Sequence, residues 1–194
     1  MGDNTVKIDV RIPYEPGAKL GEEYNRIMAE TAYDWVLFLD HDIYLCNPHW
    51  YLLCQKAITQ DPNAGLFTCW TNKIGNTMQK DLTCPSSTDI IDHTLHARNI
   101  FDKYQYSITR IDKASGMFLL INKDKWKKVG GFPGLGIFQE DWKFTKKMNK
   151  MGISLYRIDG LYVFHRRDRK TGSWIKDEKT TKEIRDEIYA EKNK

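Results

Sequence analysis

Apolar side chains occupy every second position of Val6-Lys7-Ile8-Asp9-Val10-Arg11-Ile12 before Pro13, a pattern that predicts a strand ending in a loop. Leu20, Tyr24, Ile27 and Met28 then recur at the spacing of one helical face, so a helix is expected over residues 21 to 31. Trp35-Val36-Leu37-Phe38-Leu39 is apolar throughout, as a strand covered on both faces requires, and it stops at an acid. Asn47-Pro48 suits a helix start, and the following helix should run to Gln60 before the turn Asp61-Pro62-Asn63. Leu66-Phe67-Thr68-Cys69-Trp70 reads as another strand. Residues 71 to 87 are polar and turn-rich, an excursion of the kind that often carries substrate contacts, and residues 86 to 89 can cap a helix toward Tyr104.

Met117-Phe118-Leu119-Leu120-Ile121 is a second buried strand, followed by a short helix from Lys123 to Val129 that Gly130-Gly131-Phe132-Pro133-Gly134 breaks. A helix over residues 140 to 151, strands at 155 to 158 and 161 to 164, and a charged helix over about 180 to 192 complete the pattern. Strands alternating with helices predict an α/β fold: one Rossmann-like domain with a mixed, mostly parallel sheet flanked by helices.

Composition narrows this only slightly. A chain of 194 residues, 41% hydrophobic, has the length of one domain. It has no uninterrupted apolar run long enough to span a membrane, and the start Met1-Gly2-Asp3-Asn4-Thr5 lacks a signal-peptide pattern, so a soluble cytoplasmic protein is expected. Cys46, Cys54, Cys69 and Cys84 form no CxxC pair and read as reduced, packed thiols. Charge is uneven: residues 1 to 122 hold 11 Lys/Arg against 15 Asp/Glu, whereas residues 123 to 194 hold 19 against 11. The basic part suits anionic partners, although scattered charges of this kind also suit a solvated surface.

The chemistry concentrates at Asp40-His41-Asp42, at the carboxyl end of the strongest strand. Ligands of open α/β sheets collect beyond the carboxyl ends of strands. Alternation sends Asp40 and Asp42 to the same side, where two carboxylates can hold Mg²⁺ or Mn²⁺ against a diphosphate. Two turn-forming acids after a strand would look the same. Glu140-Asp141 opens a helix, where backbone amides favour negative charge and keep a carboxylate ionised, although acids are common in first turns. His165 ends the last strand, where it can ligate a metal, meet a phosphate or serve the core. His93 and His96 stand one helical turn apart and read as surface residues. Trp142, beside Asp141, can stack on a sugar ring or serve packing.

The run from Trp35 to Tyr44 resembles the strand and DxD motif of A-type glycosyltransferases, the family-2 enzymes above all. Two further blocks are similar in order and distance. They are Ala114-Ser115-Gly116 with its strand, Gly130-Gly131-Phe132 and Gln139-Glu140-Asp141, and then Gly152-Ile153 through Val163-Phe164-His165. The resemblance covers residues 6 to 167. It implies a domain of that A-type fold over residues 1 to 194, with its core at 6 to 167 and a basic mobile segment at 166 to 173. It also implies an inverting transfer from a nucleoside diphosphate-sugar, UDP-linked on family habit, to an acceptor hydroxyl. Asp40, Asp42 and His165 would hold Mn²⁺ or Mg²⁺, Asp141 would be the general base, and Glu140 would hold sugar or acceptor hydroxyls. Donor contacts are implied for Pro13, Tyr14, Asn25, Asp40, His41 and Arg167, with Arg167 in a segment that can fold over the diphosphate.

One departure stands out: only 26 residues separate Pro13 from Asp40, where the family usually has a further strand-helix unit, so the nucleotide-binding half is abridged. The acceptor, whether a glycan, a lipid-linked or a small molecule, stays open, as do oligomeric state and peripheral membrane contact; no nucleic acid is expected. Asp40 and Asp42 also fit the opening of a haloacid-dehalogenase-type phosphatase, with Asp40 as nucleophile, although no apolar strand leads to a later acidic pair. A basic binding module without catalysis, or a donor-binding domain that has lost it, are further readings.

Overall fold

The computed structural model describes residues 6–14, 19–134 and 140–166. Among them seven strands and five helices follow one another. In chain order these are β1 (Ile8–Arg11), α1 (Leu20–Glu30), β2 (Trp35–Leu39), β3 (Ile43–Tyr44), α2 (Trp50–Gln60), β4 (Leu66–Thr71) and α3 (Ile90–Tyr104). β5 (Ile108–Ile111), β6 (Phe118–Asn122), α4 (Lys123–Val129), α5 (Glu140–Lys150) and β7 (Leu155–His165) complete the series.

The sheet runs β1-β2-β6-β4-β7-β3, with β5 beside the first half of β7. β1 pairs with β2, and β4 with β7, in parallel, while β6 is inserted antiparallel between β2 and β4. The expected mixed sheet with flanking helices is present. Four strands share one direction, yet β6, β3 and β5 run against their neighbours, so antiparallel ladders outnumber parallel ones.

Alternation along β2 divides the core. Trp35, Leu37 and Leu39 face α2 through Leu53, Cys54, Ala57 and Ile58. Val36 and Phe38 face α1, α4 and α5 through Tyr24, Met28, Val129, Phe144 and Met148. Every residue of β2 and β6 is buried, which is why both read as unbroken apolar runs. α3 packs on the far half of β7, where Ala97 and Ile100 meet Tyr162 and Phe164.

Two departures from the sequence pattern have local causes. The dipeptide Asp159-Gly160 suggests a break between two strands, but β7 is continuous and bulged, its register against β4 shifting between Cys69 and Trp70. Gly160 lies under the Gln105 carbonyl, where a side chain would collide. His93 and His96 are not surface residues. His93 is fully buried, bonded to the Tyr162 hydroxyl at 2.7 Å and stacked on Phe164, and His96 is bonded to Asp81 at 2.5 Å. The expected basic segment beyond Arg166 and the helix near residue 180 lie outside the described residues.

Candidate functional site

Because β2, β4 and β7 share a direction and β6 opposes them, the carboxyl ends of three strands meet the amino end of a fourth at one edge of the sheet. Asp40, Thr71, His165 and Met117 all lie there. The Asp40 amide donates to the Met117 carbonyl at 3.1 Å, which anchors the turn after β2. β3 then folds back so that Ile43 pairs with His165, and the Arg166 amide donates to the Asp42 carbonyl at 3.0 Å. This short strand brings residues from opposite ends of the chain together. Ligand atoms of Asp40, Asp42 and His165 lie within 4.8 Å of one another.

The imidazole of His165 is oriented by the polar excursion after β4. Its Nδ1 donates to the Lys73 carbonyl at 2.9 Å, and its backbone amide donates to Oδ1 of Asn72 at 2.9 Å. With Nδ1 carrying that proton, Nε2 is turned toward Oδ1 of Asp42, 3.3 Å away. A proton or a cation between these two atoms satisfies both. The excursion is itself held by Gln79, which is fully buried: Nε2 donates to Oγ1 of Thr68 at 2.7 Å, and Oε1 accepts from the Ser115 amide at 2.6 Å. Asn72, Lys73 and Gln79 were not singled out by the sequence, in which residues 71 to 87 read only as a polar excursion of the kind that often carries substrate contacts. Several of their polar side chains turn inward instead, and runs of Asn, Thr and Gln give no periodic signal of burial.

The second pair of acids is split. Asp141 points to the start of β6, where Oδ2 accepts from the Gly116 amide at 2.7 Å, and Oδ1 accepts from the Trp142 amide at 2.7 Å. Gly116 and Met117 are consecutive, so one short stretch anchors both Asp141 and Asp40. Glu140 goes the other way. It is 2% exposed, accepts from the Gly134 amide at 3.1 Å, and packs against Gly21 so closely that a side chain there would collide with it. That burial corrects the expectation that Glu140 holds substrate hydroxyls: its carboxylate ties the segment after Gly131 to the first turn of α1.

Electrostatics separates the carboxyls further. Burial pushes the Asp40 carboxyl up, repulsion from Asp42 and Asp141 adds to this, and His165 and His41 oppose it. At Asp42 burial also raises, but the hydrogen bond and charge of His165 outweigh it and leave the carboxyl below its usual range. Asp141 is raised by burial despite the amides of Trp142 and Gly116. Desolvation thus outweighs the backbone amides in setting the direction of the shift.

The remaining sequence candidates divide plainly. Pro13 and Tyr14 follow β1, whose register sets them beside the Asp40 turn, and Tyr14 is 75% exposed. His41 is exposed in the turn between the two aspartates. Asn25 does not face a nucleotide: its Oδ1 accepts from the Phe132 amide at 2.8 Å and from Nε1 of Trp126 at 3.0 Å, and its Nδ2 donates to the Phe132 carbonyl at 3.0 Å. Its amide is committed to shaping the Gly130-Gly131-Phe132 turn, in which both glycines have positive φ. Trp142 is 41% exposed, and Arg167 lies outside the described residues.

No protein-family model matches the chain, and no curated protein matches it in sequence. Solved structures do match. One is the catalytic domain of Drosophila β1,4-galactosyltransferase 7 in complex with xylobiose, 13% identical, with TM-score 0.48, covering 90% of this chain and 60% of that one. Another is a mutant of the same Drosophila enzyme in complex with manganese, UDP-Gal and xylobiose, 10% identical, with TM-score 0.53, covering 93% of this chain and 79% of that one. At these identities the likeness establishes the fold, which is that of the A-type glycosyltransferases.

Proposed function

We propose that the chain is a single-domain, metal-dependent glycosyltransferase that moves a sugar from a nucleoside diphosphate-sugar to an acceptor hydroxyl with inversion. The observation that carries this reading is the convergence of Asp40, Asp42 and His165 within 4.8 Å, at the edge of the sheet that also receives Asp141. The Drosophila structure of the same fold, with manganese and UDP-Gal bound, supports a UDP-sugar donor and a divalent metal. Its xylobiose supports a glycan acceptor.

The donor set fits the metal. Two carboxylates and one imidazole would supply the ligand atoms, and the Lys73 carbonyl, holding the imidazole through its other nitrogen, is the outer-shell contact that a histidine ligand needs. A nitrogen ligand beside two oxygens suits Mn²⁺ better than the harder Mg²⁺. When bound, the ion offsets the charge of a departing diphosphate. Asp141 takes the proton of the acceptor hydroxyl; its raised carboxyl makes it a stronger base than an exposed aspartate. Gly116 and Trp142 aim that carboxylate through their amides, Glu140 and Asn25 shape the turns beside it, and Tyr14 offers an exposed ring to the base.

A phosphatase that used Asp40 as nucleophile would release phosphate from an aryl phosphate with Mg²⁺. The transferase reading expects no such release, and expects UDP release from UDP-sugars that depends on Mn²⁺ and acceptor. Phosphate release without sugar transfer would reverse the assignment.

A further inference from the structure

α5 turns opposite faces to different surroundings. Phe144, Thr145 and Met148 are buried in the core. Trp142, Lys143, Lys146, Lys147 and Lys150, with Met151 just beyond the helix end, follow at i, i+1, i+4, i+5, i+8 and i+9 and form one exposed stripe. An apolar side chain stands at each end of it, Trp142 at 41% and Met151 at 42% exposure, with lysines between. The Lys146 ammonium lies over the Trp142 ring, 4.5 Å from its centre.

The stripe continues onto α4. Lys147 lies beside Gly130 at the α4 carboxyl end, whose last turn carries Lys127 and Lys128. Acids offset few of these charges: on the two helices Glu140 is buried, Asp141 turns to Gly116, and the one exposed acid, Asp124, pairs with Lys127 at 3.9 Å and leaves the α5 lysines and Lys128 unopposed by either helix. Neither helix contains arginine. Nucleic-acid recognition favours the planar guanidinium, whereas lysines flanked by an amphipathic indole and a flexible thioether suit a lipid headgroup layer.

We propose that this face, formed by the outer stripe of α5 and extended by Lys127 and Lys128, docks the protein on an anionic lipid bilayer. The lysines meet the negative headgroups, and Trp142 and Met151 enter the interface. The first turn of α5 carries Trp142 outward and Asp141 inward, so docking brings the base close to the membrane surface. A lipid-borne acceptor follows from that placement; this consequence alone rests on the transferase reading.

Vesicle co-sedimentation of the full chain tests the surface without donor, metal or acceptor. Vesicles of phosphatidylcholine mixed with phosphatidylglycerol should bind the chain, less so as salt rises, and vesicles of phosphatidylcholine alone should not. The double variant Lys143→Glu with Lys147→Glu should lose more than about twentyfold in partitioning, at roughly fivefold per lysine, with an unchanged circular dichroism spectrum. Trp142→Phe should retain binding and Trp142→Ala should weaken it. Equal binding by the double variant, no binding of the wild type to the mixed vesicles at low salt, or binding to duplex DNA in preference to them would overturn the proposal. Vesicle binding that persists when no UDP-sugar is turned over would leave the docking face standing and sink the transferase reading instead.

Discussion

Asp40 and Asp42 stand one residue apart and turn toward a common imidazole, whereas Glu140 and Asp141 are adjacent and part company. The first pair lies in a turn leaving a strand, and β3 folds the chain back so that His165 faces Asp42. The second opens a helix, where neighbours diverge by about 100°. Asp141 reaches Gly116 at the sheet edge, and Glu140 is driven against Gly21 in the interior. Residue type is thus a poor guide to role: three of these four acids converge on one edge of the sheet, and the fourth holds it in shape. The electrostatics cuts across this division: burial raises both Asp40 and Asp141, and Asp42 alone of the three is lowered, by His165.

Substitutions can break this contrast at known points. Asp141→Asn should reduce transfer about 10²–10⁴-fold, the usual worth of a general base, while UDP and Mn²⁺ binding persist. Comparable loss of donor binding would instead make Asp141 part of the metal set. Glu140→Ala should act on stability: removing a buried partner of the Gly134 amide costs about 2–4 kcal/mol in chemical denaturation. Gly21→Ala should also destabilise, by about 1–3 kcal/mol, through collision with that carboxylate. Combined, the two should cost less than their sum, and strict additivity would show that the contact has no energetic weight.

A smaller effect is expected from Asn72→Ala, which frees the amide of His165 without touching a ligand atom. Mn²⁺ affinity should fall about tenfold, as for other outer-shell groups, with the Asp141-dependent pH response unchanged. The pH profile itself sharpens the comparison last. A base with a raised pKa is active when deprotonated, so kcat/KM should fall as pH drops through that value, at a higher pH than an exposed aspartate near 3.9 would give. An acid limb that stays in place in a chemically rescued Asp141 variant would assign it to another group.

The parts of the fold with strong periodic or apolar patterns were legible in the sequence. β2, β6, α4 and α3 lie close to their expected bounds, the last two with Asn122 and Asp89 as side-chain caps. β3 and β5 were missed, because a two-residue strand such as Ile43-Tyr44 has no period and Ile108-Thr109-Arg110-Ile111 is half exposed. The proposed ligand set could be read from the sequence, since Asp40 and His165 each end an apolar run and Asp42 stands two positions beyond the first of them. What orients it could not. The bonds from Lys73, Asn72 and Gln79 depend on tertiary contacts of carbonyls and amides, which leave no mark in residue spacing. Asn25 shows the converse: a polar residue in the expected place turned out to serve a glycine turn.

Calorimetric titration of wild type and Asp42→Ala with UDP-, GDP- and dTDP-sugars, with and without Mn²⁺, tests the metal-and-diphosphate site most directly. Wild type should bind a UDP-sugar in a Mn²⁺-dependent manner, and Asp42→Ala should lose that dependence while remaining folded. Failure of every nucleotide sugar to bind wild type under any metal condition, or equal Mn²⁺-dependent binding by Asp42→Ala, would contradict the assignment of Asp40, Asp42 and His165 as the donor's metal site.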